Sequence, residues 1–94
     1  MAIIECFDGF RVSVITGPEA YCLPRDDDGP YTHVEVGFPS ERPEPWMPVD
    51  GPECWSKYVE DVYHPTQTVY TYVPKAMVDL LVKSHGGAAM IDLR

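Results

Sequence analysis

Six side chains in this sequence are of the types that hold metals or attack carbon: Cys6, Cys22, Cys54, His33, His64 and His85. Four of them could supply a zinc site. Structural zinc sites, however, draw ligands in close pairs such as Cys-x₂₋₄-Cys, and no such pair occurs. Cys22 or Cys54 with His64 or His85 could make a nucleophile and its base. Such a pair needs supporting chemistry, and the sequence has neither a nucleophile elbow nor a glycine pattern for an oxyanion loop. Asp26-Asp27-Asp28-Gly29 offers oxygen ligands, but not in the D-x-D-x-D-G order with a late Glu that calcium loops require. Gly86-Gly87 follows a helical segment rather than preceding one, so it is placed to stop a helix and not to cradle a phosphate. The expectation is no catalytic residue, no metal ligand and no cofactor.

Charge carries more information. Residues 19–61 hold eleven acidic and three basic residues, a surplus equal to the whole net charge of −8. Eight of the ten prolines fall within residues 18–52, and both tryptophans, Trp46 and Trp55, lie in the same acidic stretch. A negative field confined to one segment beside large aromatic rings fits a basic protein partner. Direct contact with nucleic acid or an anionic membrane is disfavoured, since both demand basic patches. The partner-binding residues expected are Asp26, Asp27, Asp28, Glu41, Glu44, Glu60 and Asp61, with Trp46, Tyr31 and Tyr58 as aromatic anchors. Aromatic rings supply the interface hot spots that surface carboxylates alone do not. Trp55 is expected in the core, and Trp46, between Pro45 and Met47, is expected to be more exposed.

Ninety-four residues make one domain, 1–94, with a modest core. At 45 % hydrophobic and 12 % aromatic the chain is too apolar for general disorder. No apolar run reaches the ~18 residues of a transmembrane helix. Residues 1–5 lack a basic n-region and a long apolar core, and the cysteine count is odd. Both point to reduced thiols in a cytoplasm.

The elements that must position these residues follow from periodicity. Residues 3–7 and 10–16 read as a hairpin about a two-residue Asp8-Gly9 loop, with Phe10, Val12 and Val14 on one face. Residues 20–23 form a short strand and residues 31–38 another. Prolines 39, 43, 45, 48 and 52 exclude a helix or central strand and leave a long acidic loop. Residues 53–63 suit a short helix, with Trp55, Tyr58, Val59 and Val62 at helical spacing. Residues 67–73 form a strand in which Val69, Thr71 and Val73 oppose Thr68, Tyr70 and Tyr72. Residues 74–85 make the best helix, its face set by Met77, Leu80, Leu81 and Ser84, widened by Val78 and Val82, and stopped by Gly86-Gly87. Residues 88–93 give a final strand. The fold class expected is α+β: a small, mainly antiparallel sheet of four to five strands, one C-terminal helix packed on it, and a long Pro-rich acidic loop. An open sheet edge would offer a surface for homodimerisation or for strand addition.

As a type, this small, acidic, motif-poor chain resembles the phage-encoded inhibitors of host defence, anti-CRISPR proteins above all. The resemblance implies a non-enzymatic inhibitor in a bacterial host cytoplasm. It would bind a CRISPR effector subunit, or by the same physics a basic nuclease, and block nucleic-acid access by occupancy, as a DNA mimic. A structural or assembly protein, using its β edge and the Tyr-rich strand 67–73, is the alternative from a different class.

Overall fold

The computed structural model describes residues 1–24, 30–48 and 53–93. The expected turn at Asp26, Asp27 and Asp28 lies outside them. Five strands form one sheet: β1 (Ala2–Cys6), β2 (Arg11–Ile15), β3 (His33–Gly37), β4 (Val69–Pro74) and β5 (Ala88–Leu93). Their order is β4-β3-β2-β1-β5 and every neighbouring pair is antiparallel. The single α-helix among the described residues, α1 (Lys75–Ser84), carries the chain from one edge strand to the other. The fold is therefore α+β, and the alternation of direction makes the two edge strands, β4 and β5, parallel to each other.

Local chemistry accounts for these elements. β1 and β2 are paired about a three-residue loop rather than the expected two. Cys6 N–H donates to Phe10 O at 2.8 Å and Gly9 N–H to Cys6 O at 3.0 Å, so Phe7 joins Asp8 and Gly9 in the loop. Asp8 Oδ1 accepts from Phe10 N–H at 2.9 Å, an Asx turn that draws one more residue out of the strand. The helix starts after Pro74, whose φ of −56° suits an entry position. It stops at Gly86 and Gly87, with φ of +91° and +92°. Gly86 N–H bonds Lys83 O and Gly87 N–H bonds Val82 O, the paired bonds of a Schellman stop, which only glycine adopts without strain.

The core lies on one face of the sheet, under α1 and the segment around Trp46 and Trp55. It gathers Phe10, Val12, Val34, Val36, Tyr70 and Val73 from the sheet side and Met77, Val78 and Leu81 from α1. Leu80, expected on the buried face, is 66 % exposed, and Ser84 is exposed as well; Val78 takes their place. The predicted helix at 53–63 is a single 3₁₀ turn, Trp55–Lys57. Beyond it the chain runs along β4, with Val59 bridging Tyr70 and Val62 half exposed. Backbone bonds to β4 replace helical ones there: Glu60 N–H to Val69 O and Thr71 N–H to Tyr58 O, both 3.0 Å. The predicted short strand at 20–23 reduces to one bridge, Leu23 to His33.

β4 departs from simple alternation. Opposite Val34 and Val36 stand Val73 and Tyr70, so β4 carries one extra residue. Tyr72, at φ +53°, takes up the extra length. Tyr70 and Val73, expected on opposite faces, both enter the core and both have no exposed surface. Tyr70 sits edge-on to Trp46 (6.2 Å) and Trp55 (5.6 Å), and its hydroxyl donates to Pro65 O at 2.7 Å.

Two outcomes follow from this geometry. Tyr70→Phe, which strands the Pro65 carbonyl, should lower stability by about 1–2 kcal/mol in denaturant titration. Tyr70→Ala should lose about 3–5 kcal/mol, a large share of the ~5–15 kcal/mol such domains possess. Phe38 is 56 % exposed and held at φ +50°, where an L side chain is strained. Phe38→Gly should therefore melt no lower than the parent, whereas Phe38→Val, β-branched in the same conformation, should melt lower.

Candidate functional site

An apolar groove of about 290 Å³ runs between α1 and the segment that precedes the 3₁₀ turn. Trp55, Met77 and Leu81 form its buried floor and Leu80 an exposed wall. Glu44 and Glu53, both exposed, flank it. α1 contributes by splitting its apolar residues: Met77 and Leu81 reach both core and groove, while Leu80, one position away, faces the opening. The loop contributes by docking on itself. Trp55 N–H donates to Pro45 O at 2.9 Å and Ser56 N–H to Trp46 O at 3.0 Å, which lays the two tryptophan segments side by side.

The acidic flanks are held by short contacts. Glu44 Oε2 accepts from Arg42 Nε at 2.8 Å, and Glu44 Oε1 from the Trp46 N–H at 3.3 Å. Arg42 in turn stands 5.3 Å over the Trp46 ring. Glu53 accepts from the Tyr58 hydroxyl at 2.6 Å and pairs with Lys57 at 3.6 Å. The Tyr58 bond, with Lys57 behind it, holds the Glu53 carboxyl below its ordinary value. Burial, and then Glu53, pushes the Tyr58 hydroxyl up to about 12. Tyr58 is thus a neutral donor at any physiological pH and fixes the orientation of Glu53.

The expected site residues separate on this framework. Glu44 lines the groove with Glu53, which the sequence reading did not single out, and Tyr58 reaches it only through its bond to Glu53. The signal for Glu53 was its place five residues before Tyr58, within reach once the chain turns at Trp55–Lys57. Trp46 is a correction: its indole is only 8 % exposed and packs beside Tyr70 in the core, so it stabilises the loop and offers little contact surface. Its proline neighbours exclude helix there, but the segment lies on the core. Pro39 and Pro43 are fully buried there too. Tyr31 packs half-buried against the same core. Glu60 pairs through its backbone with Val69 of β4, and Asp61 begins the turn that leads into that strand. Asp61 binds His64 Nδ1 at 2.9 Å and the Tyr63 N–H at 3.1 Å, and these bonds lower its pKa. Glu41 is 3.7 Å from His85 Nε2. His85 stacks on Phe10 at 3.9 Å and meets Asp8 Oδ2 with Nδ1 at 2.6 Å. Bonds from the Phe10 N–H and then His85 hold Asp8 below its ordinary value.

A larger depression, about 440 Å³, lies against residues 15–20 and Glu35. It is open and presents no aromatic ring. Cys6, Cys22 and Cys54 are free and buried. Among the described residues no three His, Cys, Asp or Glu side chains are grouped to hold a metal ion, and no helix is long and apolar enough to cross a membrane. Compared with known proteins, the chain matches no family model, no curated protein and no solved structure.

Asp8, Glu53 and Asp61 are each more acidic in the folded chain than their ordinary values of 3.8, 4.5 and 3.8. Each therefore stabilises the fold fully above its ordinary value and ceases to do so as pH falls through the lowered one. The melting temperature should be insensitive to these groups between about pH 5 and 8 and fall below about pH 4. Removing the Tyr58 hydroxyl with Tyr58→Phe should make that acid limb shallower. An acid limb of equal slope in parent and variant would show that the Glu53 contact is not formed in solution.

Proposed function

We propose that this chain is a non-enzymatic binding module for a basic protein, and that the groove beside α1 is where the partner anchors. The observation that carries this reading is the pairing of an apolar floor of Trp55, Met77 and Leu81 with flanking carboxylates Glu44 and Glu53. A partner side chain with an apolar stem and a cationic head, or an aromatic residue flanked by Arg or Lys, fits both parts. Burial of the stem on the floor supplies affinity, and the carboxylates supply orientation and encounter rate. Arg42 and Lys57, which neutralise the two glutamates in the free chain, would be exchanged for partner cations. The remaining exposed acids of residues 41–61 extend the negative field around this anchor. Nucleic-acid-handling proteins, a CRISPR effector subunit or a nuclease among them, are the basic partners to test first. Inhibition by occupancy should then be stoichiometric, with one equivalent or a fixed small ratio titrating out the target.

The test is capture of the partner from a bacterial lysate, followed by binding of the purified partner at about 50 and 500 mM salt. A basic partner is expected, with affinity at least tenfold weaker at the higher salt and most of the loss in association rate. Glu44→Lys/Glu53→Lys should abolish binding in a chain that still folds, both side chains being exposed, although it melts lower for the lost Glu53–Tyr58 and Glu44–Arg42 contacts. Salt-independent affinity, or a folded double variant that binds as the parent does, overturns the reading.

A further inference from the structure

The two edges of the sheet are finished differently. The outer side of β4 is occupied: Glu60 N–H and Tyr58 O pair with Val69 and Thr71, and Tyr72 N–H donates to Tyr21 O at 3.1 Å. Among the described residues β5 pairs only with β1, and all six of its residues are exposed. It is nevertheless apolar, with Met90 62 %, Ile91 56 % and Leu93 79 % exposed. An uncovered apolar edge strand is a template for a further strand. We infer that β5 is the contact through which two copies of this chain join, antiparallel and two-fold symmetric, into one continuous ten-stranded sheet. This inference is independent of the groove and its partner.

Backbone direction, side-chain pattern and charge select the second copy as occupant. Cys6 N–H bonds Phe10 O, so Cys6 and Ile4 direct their backbone groups at β2 while Ile3 and Glu5 direct theirs at β5. Their partners Asp92 and Met90 close that ladder. The N–H and C=O groups of Ile91 and Leu93 consequently point to the free edge. A two-fold axis through the sheet keeps each face on its own side, so only residues of the same face can meet. Centring on Ile91 sets Ile91 against Ile91 on the face that Ile4 shares, and Leu93 against Ala89, the extra residue of the bulge opposite Glu5 and Cys6; all three are apolar. On the other face it sets Met90 against Asp92. Centring on Asp92 would instead place two carboxylates opposite each other, which is destabilising. Asp92 is the single charged residue of β5. Two copies of a chain carrying −8 therefore meet at an edge strand with one charged residue, and a basic partner would find little there to bind. One strand pair buries less than the ~1,200 Å² of a standard stable interface, so the dimer should be weak and concentration-dependent, with a dissociation constant of roughly 10–500 µM.

Sedimentation equilibrium of the full chain between about 5 µM and 1 mM tests this. A monomer–dimer equilibrium is expected, shifted at least tenfold towards monomer by Ile91→Lys and likewise by Leu93→Lys, with both variants melting as the parent does. Register is read by diamide oxidation. Ile91→Cys should cross-link to a dimer, because residues on the axis approach within disulfide range, whereas Ala88→Cys should not. Both arms avoid interference from the native cysteines, which are buried. A chain still monomeric at 1 mM overturns the inference and leaves the edge to an extended segment of another protein. Dimers that persist in both lysine variants, or Ala88→Cys cross-linking as well as Ile91→Cys, overturn it too.

Discussion

Tyr70 is the residue on which the rest of the molecule leans. Its ring has no exposed surface, stands edge-on to both indoles, and ends in a hydrogen bond to the Pro65 carbonyl. A phenol can enter a core this small only if its hydroxyl finds a partner. Pro65 provides one, and burial then raises the phenol's pKa far beyond the physiological range. Each edge-on ring pair adds about 0.5–1.5 kcal/mol beyond burial. The proline-rich segment, poor in backbone donors, is thereby held to the sheet by its two tryptophans. The groove exists because that segment is held: Trp55 is at once a partner of Tyr70 and the floor on which Leu80 and the two glutamates open.

The bulge in β4 makes this arrangement possible. Without an extra residue between Tyr70 and Val73, strict alternation would put one of them in solvent. Tyr72 accommodates the change in a left-handed conformation, with its ring 5.9 Å from that of Tyr21. The outer side of β4 pairs with residues 58–60 through Val69 and Thr71, so the same strand completes the core and has its edge closed. A strand that carries Tyr70 and Tyr72 is thus unavailable for edge pairing, and the bare edge is β5.

Local signals in the sequence were reliable wherever one element explained itself. The alternation of Val12 and Val14, the β-branched run at 69–73, and Gly86-Gly87 after a helical period all specify their elements without outside help. Errors arose where a distant contact decided. Trp55, Tyr58, Val59 and Val62 have helical spacing, but β4 offers the backbone of residues 58–60 a ladder instead, and Val62 is left half exposed. Pro45 and Met47 mark Trp46 as part of an extended loop, yet they carry no information about which surface the loop covers. The two-residue turn was misjudged because Asp8 uses its side chain to cap Phe10. Of the residues that flank the groove, the sequence singled out Glu44, while Glu53 became visible only once the turn after it was in place. The acidic triplet at 26–28 lies outside the described residues.

β1 lies between a sequence neighbour, β2, and the sequence-remote β5, to which it is joined by four regular pairs and one at a bulge. The hairpin can form early, from contacts a few residues apart. The β1–β5 ladder must wait until almost the whole intervening chain has been ordered, because loop closure is opposed by entropy that only native packing offsets. β5 is also exposed at all six of its residues. It should accordingly be the last strand to assemble and the first to open, with amide protons exchanging well before those of β2 and β3. The molecule thus combines a slow-exchanging centre with a fast-exchanging margin, a gradient written into strand order.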